Sequence, residues 1–204
     1  MKVYSKLAAI MIISFGLLVG CSGSKDEAIS QAKQVAESTF NEPAEKPTET
    51  TKGFSYYLPE GFKVKDEFEN NVILSKGNQE YILFVNSHEP LNSDVVFNEI
   101  RGAKDEQGIE TFKGEDRFGY ISISPGVDKK YELIVGIGGV KTTTMTTTND
   151  MVENAKNMMI ITNSVEYGQE GNEEKVENKE NSKEEQLDLG KVKEGDQKKN
   201  ENDK

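Results

Sequence analysis

Between Phe54 and Thr147 the apolar side chains return at every second position, in short runs that each end at a turn signal. A chain patterned this way buries its apolar groups as strands of a sheet. Phe54, Tyr56 and Leu58 alternate before Pro59-Glu60-Gly61; Phe62, Val64 and Phe68 precede Asn70-Asn71; Val72 to Leu74 lead to Gly77-Asn78; Tyr81 to Val85 follow. These four runs predict an antiparallel meander. The last is apolar on both faces, which predicts a central strand covered on both sides. A second meander is predicted over 109–112, 118–124, 131–137 and 140–147, with turns at Gly114-Glu115-Asp116, Pro125-Gly126 and Gly138-Gly139. The threonines of 142–148 favour strand through β-branching, and their polarity marks this strand as an edge onto which a partner strand could add.

Two stretches inside this region change to helical period. After Pro90, Asn92 or Ser93 can cap a helix, Asp94 suits its first turn, and Val96, Ile100 and Ala103 share a stripe. From Asn149 or Asp150 onward, Glu153 makes a box-like pair with Asp150. Met151, Val152, Ala155, Met158, Met159 and Thr162 form a wide stripe suited to packing on a sheet. The fold class expected is α+β, an antiparallel sheet of two meanders with helices packed on it.

The ends of the chain are poorer in large apolar residues. Over 25–40, Ile29, Ala32, Ala36 and Phe40 fall at helical spacing, which predicts either a short amphipathic helix or a frayed segment, because helices this short are marginal alone. Residues 41–51 hold Pro43 and Pro47 and no aliphatic larger than alanine, the composition of a solvated linker. Past Tyr167 only Val176, Leu187, Leu189 and Val192 could be buried, too little to offset ordering entropy of about 1–2 kcal/mol per residue. The expected division is a spacer over 21–51, a globular domain over 52–166 and a disordered acidic tail over 167–204.

Lys2 and Lys6 precede an apolar run over 7–19, a charged region and short core like those of a secretory signal. A spanning helix needs about 20 apolar residues, so an uncleaved anchor is the weaker reading. The run ends in Leu18-Val19-Gly20-Cys21, and Cys21 is the only cysteine. This segment resembles the bacterial lipobox. The resemblance implies that Cys21 receives a diacylglycerol through its sulfur, that 1–20 are removed as a signal peptide, and that the protein is held on the extracytoplasmic face of the cell membrane. Two acyl chains hold a protein stably where one gives only reversible binding.

Removal of 1–20 takes two lysines and changes the formal net charge from −11 to −11 − 2 = −13. That excludes a general affinity for nucleic acid, whose phosphates need clustered cations, and opposes a domain lying flat on anionic lipid. With Cys21 acylated there is no thiolate nucleophile, disulfide or cysteine metal site, and no cofactor is expected.

The opening Phe54-Ser55-Tyr56-Tyr57-Leu58-Pro59-Glu60-Gly61-Phe62 is similar to the aromatic strand, Pro, Gly and aromatic entry of PsbP-like domains, and Ile161-Thr162-Asn163-Ser164-Val165 is similar to their ending. The resemblance implies an αβα sandwich and a non-enzymatic role as a binding or assembly module. Lipoproteins carrying such domains are common in Gram-positive bacteria. The expected partner is another envelope component.

Chemistry is thinly signposted. His88, the single histidine, sits beside Ser87 and Glu89, with Ser93 further on. A hydrolase or ligand site near His88 is the alternative reading, although neighbours on an extended chain point to opposite faces and cannot form a triad locally. The acids Asp66-Glu67-Glu69, Asp105-Glu106 and Glu115-Asp116 lie at predicted turns without the spacing of a calcium loop. Gly136-Ile137-Gly138-Gly139 leads into a strand, whereas a phosphate cradle needs a helix after its glycines, so a hairpin turn is expected.

Overall fold

The two sequence meanders meet through their last strands. The computed structural model describes residues 25–102 and 108–168. Strands β3 (Phe62–Glu67), β4 (Asn71–Lys76) and β5 (Gln79–Val85) form the first meander; β6 (Ile109–Lys113), β7 (Phe118–Pro125), β8 (Tyr131–Ile137) and β9 (Val140–Thr146) form the second. β5 pairs antiparallel with β9, giving a seven-stranded sheet of order β3-β4-β5-β9-β8-β7-β6. The expected hairpin at Gly138-Gly139 joins β8 to β9. A Cβ on Gly138 would come within 2.4 Å of the Pro90 carbonyl, and one on Gly139 within 2.4 Å of that of Asn86, so only glycine fits under this loop.

The sheet order corrects the edge expected at 142–148, because β9 lies between β5 and β8 at the centre. Its threonines alternate. Thr142, Thr144 and Thr146 are buried, and partners satisfy their hydroxyls. Thr142 shares a 2.8 Å hydrogen bond with Thr162, Thr144 donates to the Glu80 carbonyl at 2.6 Å, and Thr146 accepts from Asn154 Nδ2 at 2.8 Å. A hydroxyl that is hydrogen-bonded can be buried at little cost, so a polar strand need not be a surface strand. β5 is central as expected, but its second face is only half covered: Tyr81, Leu83 and Val85 are buried, whereas Ile82 and Phe84 are half-buried.

The first run of the sequence meander leaves this sheet altogether. β2 (Phe54–Tyr56) lies between β1 (Glu49–Thr50) and β10 (Glu166–Tyr167) in a separate three-stranded sheet. The chain turns between the sheets at Pro59-Glu60-Gly61, where Gly61 takes a positive φ of 83° and the Phe62 N–H bonds the Pro59 carbonyl.

Among the described residues, three helices cover the large sheet. α1 (Lys25–Phe40) and α3 (Met151–Asn163) pack on one face, where Ala28, Ala32, Ala36 and Phe40 join Met151, Ala155, Met158, Met159 and Ile161 in the main core. α2 (Val95–Arg101) covers part of the other face, placing Val96, Phe97 and Ile100 on Tyr120 and Ile134. The architecture is α+β, as expected. The spacer boundary at Lys52 is not: the domain begins with α1, and β1 belongs to it too. Alanines make α1 look marginal as an isolated helix, yet small side chains permit a close approach to α3, and tertiary packing supplies the stability that propensity lacks. At the other end the fold runs through β10, past the expected limit at 166.

Asp150 occupies the N-cap of α3 as expected, but neither predicted capping bond forms as drawn. Asp150 makes no capping bond and instead accepts from Thr147 Oγ1 at 2.7 Å, while Glu153 pairs with Lys76 at 2.6 Å. Asp94 occupies the cap of α2, and Ser93 Oγ accepts from the Val95 N–H at 3.2 Å. Ala103, the pair Asp105-Glu106, residues 1–24 with Cys21 among them, and residues 169–204 lie outside the described residues.

Buried phenols give the domain an alkaline limit. Tyr81 is pushed up to about 12 by burial and then by Glu153 and Asp150; Tyr56 is pushed up to about 12 by burial and then by Glu49 and Glu67. Burial, aided by Glu99, also raises Tyr120. In the unfolded chain a phenol ionises near pH 10, so the stabilisation is complete below about pH 10 and is lost as pH rises through about 12. The urea midpoint, followed by circular dichroism, should therefore hold to about pH 9 and fall across about pH 10–12.

Candidate functional site

The loop between β5 and α2 does not assemble the residues that the sequence offered for hydrolysis. His88 is exposed, and its backbone N–H donates to Asn86 Oδ1 at 3.2 Å in a turn also closed by the Glu89 N–H on the Asn86 carbonyl. Ser93 Oγ donates directly to the Glu89 carboxylate, and the Tyr167 hydroxyl donates to the Glu89 carbonyl at 2.9 Å. No hydrogen bond among the described residues joins the His88 imidazole to Ser87, Ser93 or Glu89. The serine–carboxylate contact ties the loop together without an imidazole between them to move a proton. The acids Asp66 and Glu67 stand at the exposed end of β3, and Glu115 and Asp116 in the β6–β7 turn. No group of three or more His, Cys, Asp or Glu among the described residues is placed to hold a metal ion.

The sheet edges are more informative. β3 is blunted: its pairing with β4 shifts register between Val64 and Asp66, and it carries Lys63 and Lys65, the latter paired with Glu80. A bulge and charges are common ways to discourage strand addition. The opposite edge, β6, pairs in regular register with β7 from Ile109↔Ser122 to Lys113↔Phe118. The Gly114 N–H bonds the Arg117 carbonyl at 2.9 Å, and strand alternation then turns the backbone groups of Ile109, Thr111 and Lys113 away from β7. Lys33 of α1 covers the first of these, donating to the Ile109 carbonyl at 3.3 Å while lying 3.7 Å from the Glu110 carboxylate. Thr111 and Lys113 are exposed beyond it.

Beside this open stretch lies a cleft of about 430 Å³ between β6 and α2, lined among others by Phe97, Arg101, Thr111, Lys113 and Phe118. Phe97 and Phe118 stack edge to face, with ring centroids 5.3 Å apart, and give the cleft an aromatic wall. A second cleft of about 430 Å³ separates the start of α1 from the ends of β7 and β8, where Lys25 Nζ lies 5.8 Å from the centre of the Tyr131 ring. Neither contains His88. Period-two alternation marks β6 as a strand but does not mark it as an edge. The signal was its position first in its meander, which leaves one side open unless another strand arrives there.

Among the described residues no helix is long and apolar enough to cross a membrane. Compared with known proteins, the chain matches no family model and no curated protein.

Proposed function

We propose that this chain is a bacterial lipoprotein, anchored through Cys21 on the outer face of the cell membrane, whose domain acts as a binding or accessory module for another envelope component and performs no covalent chemistry of its own. The observation that carries the binding role is the bulge-free β6 edge, whose outward backbone groups at Thr111 and Lys113, beyond the reach of Lys33, stand beside an open cleft. Unpaired strand donors and acceptors are satisfied well by another polypeptide strand, the basis of recognition by strand addition. Helices on both faces of an antiparallel sheet support the PsbP-like sandwich. The alternative, a ligand-binding lipoprotein or hydrolase with its site near His88, has weaker support, since the two clefts lie elsewhere.

The anchor rests on Leu18-Val19-Gly20-Cys21 and is tested by Cys21→Ala. The variant should be released to the medium or remain as the longer precursor, seen by fractionation and intact mass. Unchanged size and unchanged detergent partitioning would rule the lipid anchor out.

A further inference from the structure

If Cys21 carries the lipid, the distance to the folded domain is short. The four residue steps from Cys21 to Lys25, where α1 begins, span at most about 14 Å when fully extended. The start of α1 is therefore held near the membrane, and with it whatever part of the sheet lies alongside. That part is the β7–β8 turn. Lys25 sits over the Tyr131 ring, and Lys25, Asp26 and Ile29 share a cleft with Pro125 and Tyr131 at the two ends of the turn.

The turn has an unusual make-up for a plain connection. Val127 at its tip is 59% exposed, the highest value among the exposed large apolar residues described, and Lys129 and Lys130 follow it. Asp128 and Lys129 both take positive φ, 53° and 61°, a left-handed conformation that glycine or asparagine adopts at lower cost than lysine. The Lys130 N–H closes the turn onto the Val127 carbonyl at 3.0 Å, and the Gly126 N–H bonds the Lys130 carbonyl at 2.9 Å.

We infer that the β7–β8 turn is a membrane-contact tip: Val127 enters the headgroup boundary, Tyr131 lies at the level of the headgroups, and Lys25, Lys129 and Lys130 reach lipid phosphates. This rests on the lipoprotein reading above. Asp26, Glu27 and Asp128 stand among these lysines, so attraction by net positive charge is not what holds the tip. Apolar insertion of one valine with amphipathic neighbours is weak by itself. Here the acyl chains keep the tip at a local concentration in the millimolar range, at which a weak contact is populated. Phe68 is also exposed, at 48%, but serves as the contrast. It adjoins Asn71, which pairs with Phe84, and that row continues through Lys141 and Gly136 to Tyr120, at the end of the sheet away from Pro125 and Tyr131.

The chain contains no tryptophan, so Val127→Trp and Phe68→Trp each provide a single fluorescent reporter. Each full-length variant, purified from membranes and shown to keep the wild-type unfolding midpoint, is placed in phosphatidylcholine–phosphatidylglycerol vesicles with brominated acyl chains. The Val127→Trp emission should shift to the blue and lose most of its intensity, while that of Phe68→Trp should change little. Equal quenching of the two, or none at position 127 in a protein whose mass includes the diacylglycerol, overturns the membrane tip alone. A mass without lipid overturns the anchor beneath it.

Discussion

Phe40→Ala is expected to destabilise the domain by about 3–5 kcal/mol, enough to remove much or all of the stability of an ordinary domain. Phe40 ends α1, in a segment whose composition reads as a spacer, yet no part of its side chain is exposed. Its ring lies 5.8 Å from that of Phe112 and 4.8 Å below the Arg117 guanidinium. The same guanidinium donates to the Phe40 carbonyl at 3.0 Å and to Asn163 Oδ1, so one side chain joins the end of α1, the β6–β7 turn and the end of α3. Gly119 has no side chain where a Cβ would stand 2.7 Å from the Phe40 ring, so the pocket is shaped to the phenyl group and collapses poorly without it. Urea unfolding followed by circular dichroism measures the loss, and a cost below about 1 kcal/mol would return α1 to the status of a spacer. Limited proteolysis gives the same answer by another route, with cleavage stopping near Lys25 and not at Lys52.

Thr144→Pro is expected to abolish cooperative unfolding, the opposite of its effect on an edge strand. Thr144 pairs with Tyr81 of β5 on one side and Leu133 of β8 on the other, so a neighbouring strand lies wherever its N–H points. Proline removes that donor and holds φ near −65°, which the middle of a sheet does not accept. The substitution also deletes the hydroxyl that donates to the Glu80 carbonyl and accepts from Gln79 Nε2 at 3.1 Å. Thr111→Pro on β6 makes the internal comparison. Its N–H faces outward, so no ladder bond is lost, and a near-normal melting transition is expected. If the two variants melted alike, the sheet order would be wrong.

Local pattern made the strands legible and left their assembly unread. Period-two alternation is a property of neighbouring residues, so β4, β5 and β6 to β9 stand out along the chain. The join between β5 and β9 links residues far apart in sequence and depends on both meanders at once. The threonines of β9 misled for a related reason. Their burial depends on Thr162 and Asn154 of α3 and on the Glu80 carbonyl, and no property of the threonines themselves announces those partners. α1 is faint in the sequence because alanine is a weak apolar signal but a good contact residue. Of the site, His88 carries the most chemistry in the sequence, yet it is an exposed loop residue. The β6 edge became visible only with the strand order, and Val127 lies in what the sequence presents as an ordinary Pro-Gly turn.

The claim that an anchored domain binds its partner through β6 is tested most directly by a photoreactive amino acid at Lys113 in intact cells. A cross-linked product with another envelope polypeptide is expected from the otherwise wild-type chain and from Thr111→Val, which keeps the backbone donor. That product should be lost from Thr111→Pro, which removes the donor while leaving the fold. The same product at the same yield from Thr111→Pro would contradict strand addition at this edge.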